Sequence, residues 1–475
     1  MTVLHEITTG EHQADRLASL AAEHGVAFRH LRPDHGVFRS QPMITVSGGT
    51  DVVREWEQRI PVLRRRTLGP VTADGRRFEH RIELRSEPER VVEIVRLADL
   101  VEEHGAALGR DPRRLIVQRC LRTTADGAAG QLDRLLAGLR AEGHQVVSVQ
   151  RWQIVHDDNP DLDGGWLIPD PARRFRPSGD GVIRVRKEWL PPTFQPVPPG
   201  RGVEQRYVFD PALKQFDDAY RPGEPEFADP VIGGRWQSAR QLAMNHLLTV
   251  LGGSRWAEHL VLRGSALMPV WAGAAARRPG DLDFVVTPPT VTSGSREARE
   301  LLDGIRNAAS GAGLRPGETA ESEIWTYERA DGRRLVIPFS VPGVPDGSIQ
   351  IDVVFGEHLP IEPEPIMLPG VGSPILAATA ELSLAWKLLW LATDRYPQGK
   401  DLYDAVLLAE HTTVDVELVR DLLLPELGDE ALEFSAVTPL SWYDVDWDNF
   451  ADEYPQVAGP ARHWLRRLAL ALDRS

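Results

Sequence analysis

The sequence predicts a mixed α+β protein in which two structured regions are joined by a proline-rich segment. Strand-like and helix-like patterns alternate from residue 12 to residue 156, and they alternate again after residue 238, where the chain ends in helices. A chain of 475 residues is also longer than one typical hydrophobic core requires. We therefore expect an N-terminal α+β domain over residues 1–175, a Pro-rich linker over residues 176–230 and a further domain over residues 231–475.

The composition is that of an ordinary globular protein, because 42% of the residues are hydrophobic and 26% are charged. No apolar run reaches the length of a membrane-spanning helix, and the first residues lack the basic and apolar parts of a signal peptide. We therefore expect a cytoplasmic protein with no membrane partner. The single cysteine, Cys120, excludes an intramolecular disulfide and a zinc site built from cysteines. The formal net charge of −15 disfavours non-specific binding of nucleic acid by the whole chain, although it leaves room for a local basic patch.

In the N-terminal region, four segments have apolar residues at helical spacing and four others have the patterns of strands. The predicted helices cover residues 12–24, 51–59, 89–104 and 131–142, and the predicted strands cover residues 41–46, 77–85, 115–120 and 145–155. Alternation at 77–85 predicts a half-buried strand. A β-α-β-β-α-β order is typical of a ferredoxin-like α+β unit, and we expect either one such unit or two imperfect copies around residues 27–85 and 78–156. A fold of this kind does not indicate an activity.

The boundary between the two domains is expected in the stretch from Trp189 to Pro230. It contains the proline-dense segments PPTFQPVPPG and RPGEPEFADP. Proline at this density favours an extended, semi-rigid connection over a packed element.

The second domain is predicted to begin with an amphipathic helix over Ser238–Leu251 and to end in a helical region. The predicted strands are Leu260–Leu262, Trp325–Tyr327, Leu335–Ser340 and Ser348–Phe355, and the later helices are Glu297–Ser310, Thr379–Ala392, Val414–Leu427 and Pro460–Leu472. The segment SWYDVDWDNF, between the last two helices, is expected to be an irregular docking surface.

A glycine–serine turn follows the first of these strands. Gly264 and Ser265 stand between the strand and a helix-compatible segment, ALMPVWAG. Backbone N–H groups at the start of a helix favour anions, so this turn is a candidate phosphate-binding site.

Two carboxylates follow the turn on one strand. Asp281 and Asp283 are two positions apart, so they project from the same face. Paired carboxylates repel each other unless a cation lies between them, and Mg²⁺ is usually held by one or two carboxylates together with substrate phosphates. The arginine pair Arg277-Arg278 precedes this motif.

Asp352 is embedded among branched apolar residues in the segment SIQIDVVF. A charge in such a run is costly unless it is paired or bound to a metal. If this strand lies beside Leu282–Val286, Asp352 completes a triad of carboxylates with Asp281 and Asp283.

Further charged residues lie downstream. Lys387 interrupts an apolar helix surface, where it could extend to solvent, and Lys400, Asp401 and Asp404 come just before another helix. Asp401 could equally be an acid of the first helical turn that the macrodipole favours.

Taken together, these residues resemble the AbiEii/AbiGii-type nucleotidyltransferases, toxins of bacterial abortive-infection and toxin–antitoxin systems. The resemblance covers about residues 235–425. It is carried by Arg263-Gly264-Ser265, Asp281-Leu282-Asp283, Ile351-Asp352-Val353, Glu381 with Lys387, and Lys400-Asp401-Leu402-Tyr403-Asp404. Family members often have a second glycine where Arg263 stands.

The resemblance implies a polymerase-β-like nucleotidyltransferase domain with a helical C-terminal part. It implies a nucleotide-binding set of Arg263, Gly264, Ser265, Lys387, Lys400 and Asp404, and a catalytic set of Asp281, Asp283, Asp352, Lys387 and Asp401. Gly264 and Ser265 would hold the β- and γ-phosphates of an NTP, and Lys387 would neutralise the triphosphate. Asp281 and Asp283 would bind Mg²⁺ or Mn²⁺, with Asp352 as a further metal ligand or as the base for the attacking hydroxyl. Asp401 or Asp404 would orient the lysine or the acceptor.

The implied function is transfer of a nucleotide from an NTP to an acceptor hydroxyl in RNA, at the acceptor end of tRNA. The enzyme would be a toxin of a toxin–antitoxin or phage-defence system, with a cognate antitoxin as partner. Two alternatives stay open. The acceptor could be a small molecule or a protein, and the acidic net charge fits a small molecule slightly better than RNA. The domain could also be a non-catalytic nucleotide-binding module, although all three candidate metal carboxylates are present.

Overall fold

The computed structural model describes residues 3–31, 40–47, 50–85, 90–109, 115–163, 193, 202–209, 220–324, 330–394, 397–442 and 445–474. The chain divides into two compact units. The first unit comprises Met1–Arg173 with Ala436–Asp444, and the second unit comprises Arg174–Ser435 with Val445–Ser475. Within the described residues, no helix is long and apolar enough to span a membrane.

In the described part of the first unit, eight strands form one antiparallel sheet in the order β2-β3-β1-β4-β8-β5-β7-β6. The strands are β1 (Leu4–Thr8), β2 (Ala27–Leu31), β3 (Gln41–Ser47), β4 (Arg64–Gly69), β5 (Arg77–Leu84), β6 (Ala106–Leu108), β7 (Leu115–Leu121) and β8 (Val146–Asp157). The helices are α1 (Ala14–Glu23), α2 (Thr50–Glu57), α3 (Val91–Glu103) and α4 (Ala125–Ala141). The chain thus runs twice through a β-α-β-β-α-β order, and in both passes the first strand lies between the third and the fourth.

The two passes have different bounds from those expected. The first covers Leu4–Gly69 rather than residues 27–85, because the short strands β1, β2, β4 and β6 lack a clear alternation in the sequence. Helix α4 begins at Ala125, where Thr124 accepts a hydrogen bond from the Gly127 N–H. The expected start at residue 131 was wrong. The glycines at positions 127 and 130 disfavour a helix in the sequence pattern, although both lie within α4.

The helices cover one face of this sheet. Ile7 and Ile44 pack with Leu17 of α1, while Ile82 and Ile116 pack with residues of α3 and α4. On the opposite face, Leu31 of β2 and Met43 of β3 pack with residues of β6 and β7. Strands β2 and β3 lie at one end of the strand order, and β6 and β7 lie at the other. The sheet therefore curves around the face opposite helices α1 to α4. As a consequence β5, which was expected to be half-buried, is buried on both faces.

The segment expected to be an extended linker contains a hairpin. Strands β9 (Val203–Phe209) and β10 (Tyr220–Phe227) pair antiparallel, with a register shift between Pro222 and Pro225. Prolines are tolerated at bulges and on edge strands, so a proline-rich sequence did not exclude a strand here. Helix α5 (Pro230–Gly252) begins directly afterwards, with Asp229 capping its first turn, which is earlier than the expected Ser238.

The described part of the second unit also contains a mixed seven-stranded sheet, in the order β13-β14-β15-β12-β11-β17-β16. The strands are β11 (Leu260–Arg263), β12 (Leu282–Val286), β13 (Ala320–Glu323), β14 (Asp331–Phe339), β15 (Gly347–Phe355), β16 (Glu364–Ile366) and β17 (Ile375–Ala377). Two pairs, β12 with β15 and β11 with β17, are parallel. The expected strand Trp325–Tyr327 lies outside the described residues.

Helices complete the second unit. They are α6 (Met268–Ala272), α7 (Arg296–Ala308), α8 (Ala380–Thr393), α9 (Gly399–His411), α10 (Val416–Leu427), α11 (Trp447–Glu453) and α12 (Ala461–Leu472). The segment expected to be an irregular surface contains α11. Its residues Trp447 and Phe450 are buried, and Phe450 lies against Tyr403 of α9 with ring centroids 5.6 Å apart. Trp447 and Phe450 therefore contribute to the packing around α9.

Candidate active site

The glycine turn begins where β11 ends. Gly264 has a φ of +79°, a conformation that L side chains rarely adopt. A Cβ on Gly264 would lie 2.6 Å from Oδ2 of Asp283. Glycine therefore allows the backbone to turn directly beside this carboxylate. Ser265 follows in a short 3-10 turn that leads into α6, and its side chain is buried.

The register of the central strands brings the three candidate carboxylates together. Asp283 is paired with Arg263 on β11 and with Asp352 on β15. Asp281 precedes β12 and projects to the same side as Asp283. One carboxylate oxygen from each of Asp281, Asp283 and Asp352 lies within 4.8 Å of the others. The expected triad is therefore present.

The surroundings of Asp283 disfavour its negative charge. Burial, followed by the charges of Asp281 and Asp352, raises the pKa of Asp283 to about 8, and the opposing effects of Arg263 and Lys400 are smaller. Three carboxylates at this separation with an incomplete set of cationic partners are a donor set that fits a divalent cation with oxygen ligands.

Asp352 has a cationic partner that was not predicted. Arg334 lies directly opposite it in the pairing of β14 with β15. Its Nε donates to Oδ1 of Asp352 at 2.7 Å, and its Nη2 donates to Oδ2 at 2.6 Å. Gln350 Nε2 donates to Oδ2 of Asp281 and to Oδ2 of Asp352, at 3.3 Å in each case, and so connects two members of the triad.

Lys387 is buried on α8 rather than extended to solvent. Its Nζ lies 2.7 Å from Oδ1 of Asp401 and 3.5 Å from Oδ2 of Asp404. Burial alone would lower the pKa of Lys387, but these two carboxylates raise it overall, so the ammonium is charged and held. Asp404 also accepts from Arg277, with Nη2 at 2.8 Å. The expected orientation of the lysine by Asp401 and Asp404 fits this geometry.

Arg263 and Lys400 lie close to the triad in different ways. Arg263 is buried, donates from Nη1 to both oxygens of Glu357 at 2.8 Å, and lies over the rings of Trp386 and Trp390. Lys400 is half-buried at the start of α9, and its charge lowers the pKa of Asp283. The start of α9 therefore lies beside the triad.

Sequence reasoning missed Arg334, Gln350 and Glu357 as members of the site. No local pattern in the sequence identifies Arg334 or Glu357, since their roles depend on which strands pair and in which register. The spacing of Gln350 and Asp352, two positions apart on one strand, would have placed both on the same face.

Residues 246–469, a little under half of the chain, match the family described as "Nucleotidyl transferase AbiEii toxin, Type IV TA system". The matched stretch contains the glycine turn, the carboxylate triad and the cluster around Lys387. The class of the second unit is therefore that of a nucleotidyltransferase. More narrowly, the C-terminal half of the chain belongs to the AbiEii-type family of nucleotidyltransferase toxins.

Two solved structures are similar to parts of this chain at low sequence identity. MenT4, a nucleotidyltransferase toxin from Mycobacterium tuberculosis H37Rv, is 21% identical with a TM-score of 0.34, over 51% of this chain and 87% of that chain. The small subunit of acetolactate synthase from Thermotoga maritima is 15% identical with a TM-score of 0.16, over 33% of this chain and 95% of that chain. Similarity at this level does not establish a shared fold, and the family assignment rests on the match above. No curated protein matches the chain.

Proposed function

We propose that the protein transfers a nucleotide from an NTP to an acceptor hydroxyl in a reaction that depends on Mg²⁺ or Mn²⁺. The observation that carries this proposal is the carboxylate triad, whose oxygens lie within 4.8 Å of one another and directly beside the glycine turn at Gly264. A phosphate-binding turn next to a cation site is the arrangement that nucleotidyl transfer requires.

The turn and the triad have complementary roles in this proposal. The backbone of Gly264 and the hydroxyl of Ser265 hold the β- and γ-phosphates of the NTP. Asp281 and Asp283, with Asp352 beside them, provide the cation site. A divalent cation held there by Asp281 and Asp283 would supply positive charge that stabilises the leaving pyrophosphate. The carboxylates fix the position of the cation, and positioning of this kind is a large part of such catalysis.

The basic residues are proposed to act on the triphosphate. Lys387 contributes a buried positive charge whose direction is set by Asp401 and Asp404, 2.7 Å and 3.5 Å from its Nζ. Lys400 lies at the start of α9 beside Asp283 and is the half-buried cation that can reach the phosphates. Arg263, which donates hydrogen bonds to Glu357, directly precedes the glycine turn and lowers the pKa of Asp283.

The acceptor is proposed to be RNA, at the acceptor end of a tRNA, and the protein is proposed to act in the cytoplasm as a toxin that a cognate antitoxin controls. The family of the C-terminal half supports the toxin role. For the first unit we propose two ferredoxin-like halves, supported by the repeated strand order, with a role in recognition or regulation. Domain bounds of 1–175 and 231–475 are part of the same proposal.

The test is transfer of label from an α-labelled NTP to separate pools of RNA, small molecules and protein, in the presence of Mg²⁺. Asp281→Asn with Asp283→Asn should reduce labelling of RNA by at least about 1,000-fold, because the cation site is lost. Asp303→Asn is the matched control, since Asp303 is exposed on α7 and pairs with Arg306; it should label RNA as the wild type does.

The distribution of label distinguishes the acceptors. Label in the small-molecule or protein pool, lost in the same double variant, would keep nucleotidyl transfer but replace RNA as the acceptor. NTP binding without any Mg²⁺-dependent labelling would contradict catalysis and favour a nucleotide-binding module. Labelling of RNA that the double variant retains would exclude the triad as the active site.

A further inference from the structure

Arg334 holds the third carboxylate of the triad by both of its oxygens. The two residues face each other across the antiparallel pair of β14 and β15. The guanidinium donates from Nε and Nη2 at 2.7 Å and 2.6 Å, which is the bidentate geometry of a strong charge-assisted pair. Arg334 and Asp352 are largely buried, with side chains 12% and 11% exposed, so water screens this pair only weakly.

Part of the remaining acceptor capacity of Asp352 is also used within the site. Oδ2 accepts from Gln350 Nε2 at 3.3 Å, and the same amide group donates to Asp281. A cation bound by Asp352 would have to share its oxygens with a guanidinium a few ångströms away. Two cations at such a distance in a weakly screened site repel each other strongly.

The balance of charge around the triad matches one divalent cation. The three carboxylates carry three negative charges when ionised, and Arg334 is permanently charged. Two negative charges are then left, which one divalent cation compensates. Among the other cations near the triad, Arg263 is already matched by Glu357, and Lys400 is half-buried in contact with water.

We infer that the guanidinium of Arg334 occupies the cation position beside Asp352, so that the site takes a single divalent cation, held by Asp281 and Asp283. Asp352 is then a positioning residue that fixes Arg334, rather than a ligand of the metal. This inference rests on the cation site of the proposed function and narrows it from three protein ligands to two.

The pairing of Arg334 with Asp352 affects which carboxylates remain available to a cation. Arg334 supplies a fixed positive charge on the Asp352 side without the need for a second ion. It also holds one carboxylate of the triad at all times, which leaves the repulsion concentrated on Asp281 and Asp283. That repulsion is what a cation relieves, so the two carboxylates at the start of β12 are the ones expected to bind it.

The test is the stoichiometry and affinity of Mn²⁺ binding to the full chain without nucleotide, measured by calorimetry and by the electron paramagnetic resonance of free Mn²⁺. The informative change is the paired substitution Arg334→Gln with Asp352→Asn, which removes both charges; Asn keeps the size of the aspartate side chain, and Gln keeps the stem of the arginine as far as Cδ. Arg334→Gln alone, Asp283→Asn alone and Arg333→Gln complete the set. Arg333 is the matched control, because it is the neighbouring arginine on the other face of β14 and pairs with Asp331 at 2.9 Å.

We expect the wild type to bind one Mn²⁺ and the paired variant to bind one with an affinity within about threefold of it. Arg334→Gln alone should bind Mn²⁺ about tenfold more tightly, since a competing cation is removed. Arg333→Gln should not change the affinity. Thermal melting checks that each variant is folded.

A loss of at least about tenfold in affinity in the folded paired variant would overturn the inference, because Asp352 would then be a ligand. Two ions in the wild type, or an Arg334→Gln variant that binds no more tightly, would also overturn it. If the wild type binds no Mn²⁺, the proposed function fails. If binding depends on Asp283 but the paired variant is weak, only the single-ion inference fails.

Discussion

Each unit of the protein buries a cluster of charged side chains on its sheet, and the two clusters differ in how their carboxylates are compensated. In the first unit, the carboxylates Glu6 and Glu79 are surrounded by arginines on the face of the curved sheet opposite helices α1 to α4. In the second unit, three carboxylates converge and only Asp352 has a bidentate arginine. The pKa values of Glu6 and Glu79 are lowered in the first cluster, whereas the pKa of Asp283 is raised in the second.

The first cluster is compensated internally. Glu79 accepts hydrogen bonds from Arg66, from Arg81 at 2.7 Å and from Arg119 at 2.8 Å. Burial by itself would raise the pKa of Glu79, but Arg66, Arg81 and Arg119 lower it well below its ordinary value. The charges of these groups compensate one another, so the cluster favours the strand pairing that brings them together.

The second cluster is not compensated internally. Burial and two neighbouring carboxylates raise the pKa of Asp283 to about 8. Buried carboxylates with their own cations are expected to be structural, whereas buried carboxylates that lack them mark the place of an external cation. This difference is the physical basis for placing the active site in the second unit.

The largest stability effect is expected in the first cluster. Glu79→Gln leaves three buried arginines with one fewer carboxylate, and removal of one member of a buried ion network costs about 3–5 kcal/mol. Urea unfolding of the full chain, monitored with a probe located in the first unit, should show this loss in the free energy of unfolding.

The matched control for this change is Glu55→Gln. Glu55 pairs with Arg59 at 2.8 Å on the surface of α2 and is 59% exposed, so its loss should cost less than about 1 kcal/mol. Equal effects of the two substitutions would contradict the distinction between buried and exposed pairs in this unit.

An effect of opposite sign, in which a substitution stabilises the protein, is expected in the second cluster. The pKa of Asp283 is about 8 in the folded protein and about 4 in an unfolded chain. At a pH between these two pKa values the folded state binds more protons than the unfolded state does. The stability of the metal-free protein should therefore fall as the pH rises from about 4 to about 8.

Asp283→Asn should remove this pH dependence. In the presence of a chelator, the variant should melt close to the wild type at pH 5 and several degrees above it at pH 9, by about 5 °C. Melting curves of the two proteins that stay parallel across this pH range would show that Asp283 is not destabilised by its neighbours.

Much of the second unit could be predicted from the sequence. The apolar runs of β11, β12 and β15 and the helices α8 and α12 lie close to their expected bounds. The carboxylates could be predicted too, because a charge inside an apolar strand and two carboxylates at alternate positions are local patterns. By contrast, β4 contains the run Arg64–Arg66, which has no apolar pattern, and its buried arginines Arg64 and Arg66 pair with carboxylates of β8 and β5.

The unpredicted parts of the site depend on contacts distant in sequence. Arg334 meets Asp352 through a strand register, and Arg277 meets Asp404 across 127 positions of the chain. Lys387 looked equally suited to solvent, and only the fold shows that two carboxylates hold it. The hairpin of β9 and β10 was missed for a different reason, since its prolines favour extended backbone both in a linker and at a strand bulge.

The most direct test of the account is to count the protons released when Mg²⁺ binds at pH 7, by titration calorimetry in buffers of different ionisation enthalpy. Because the pKa of Asp283 is about 8, the account predicts release of about one proton per ion, and release close to zero in Asp283→Asn. Binding of Mg²⁺ to the wild type without proton release, or with a release that Asp283→Asn leaves unchanged, would contradict it.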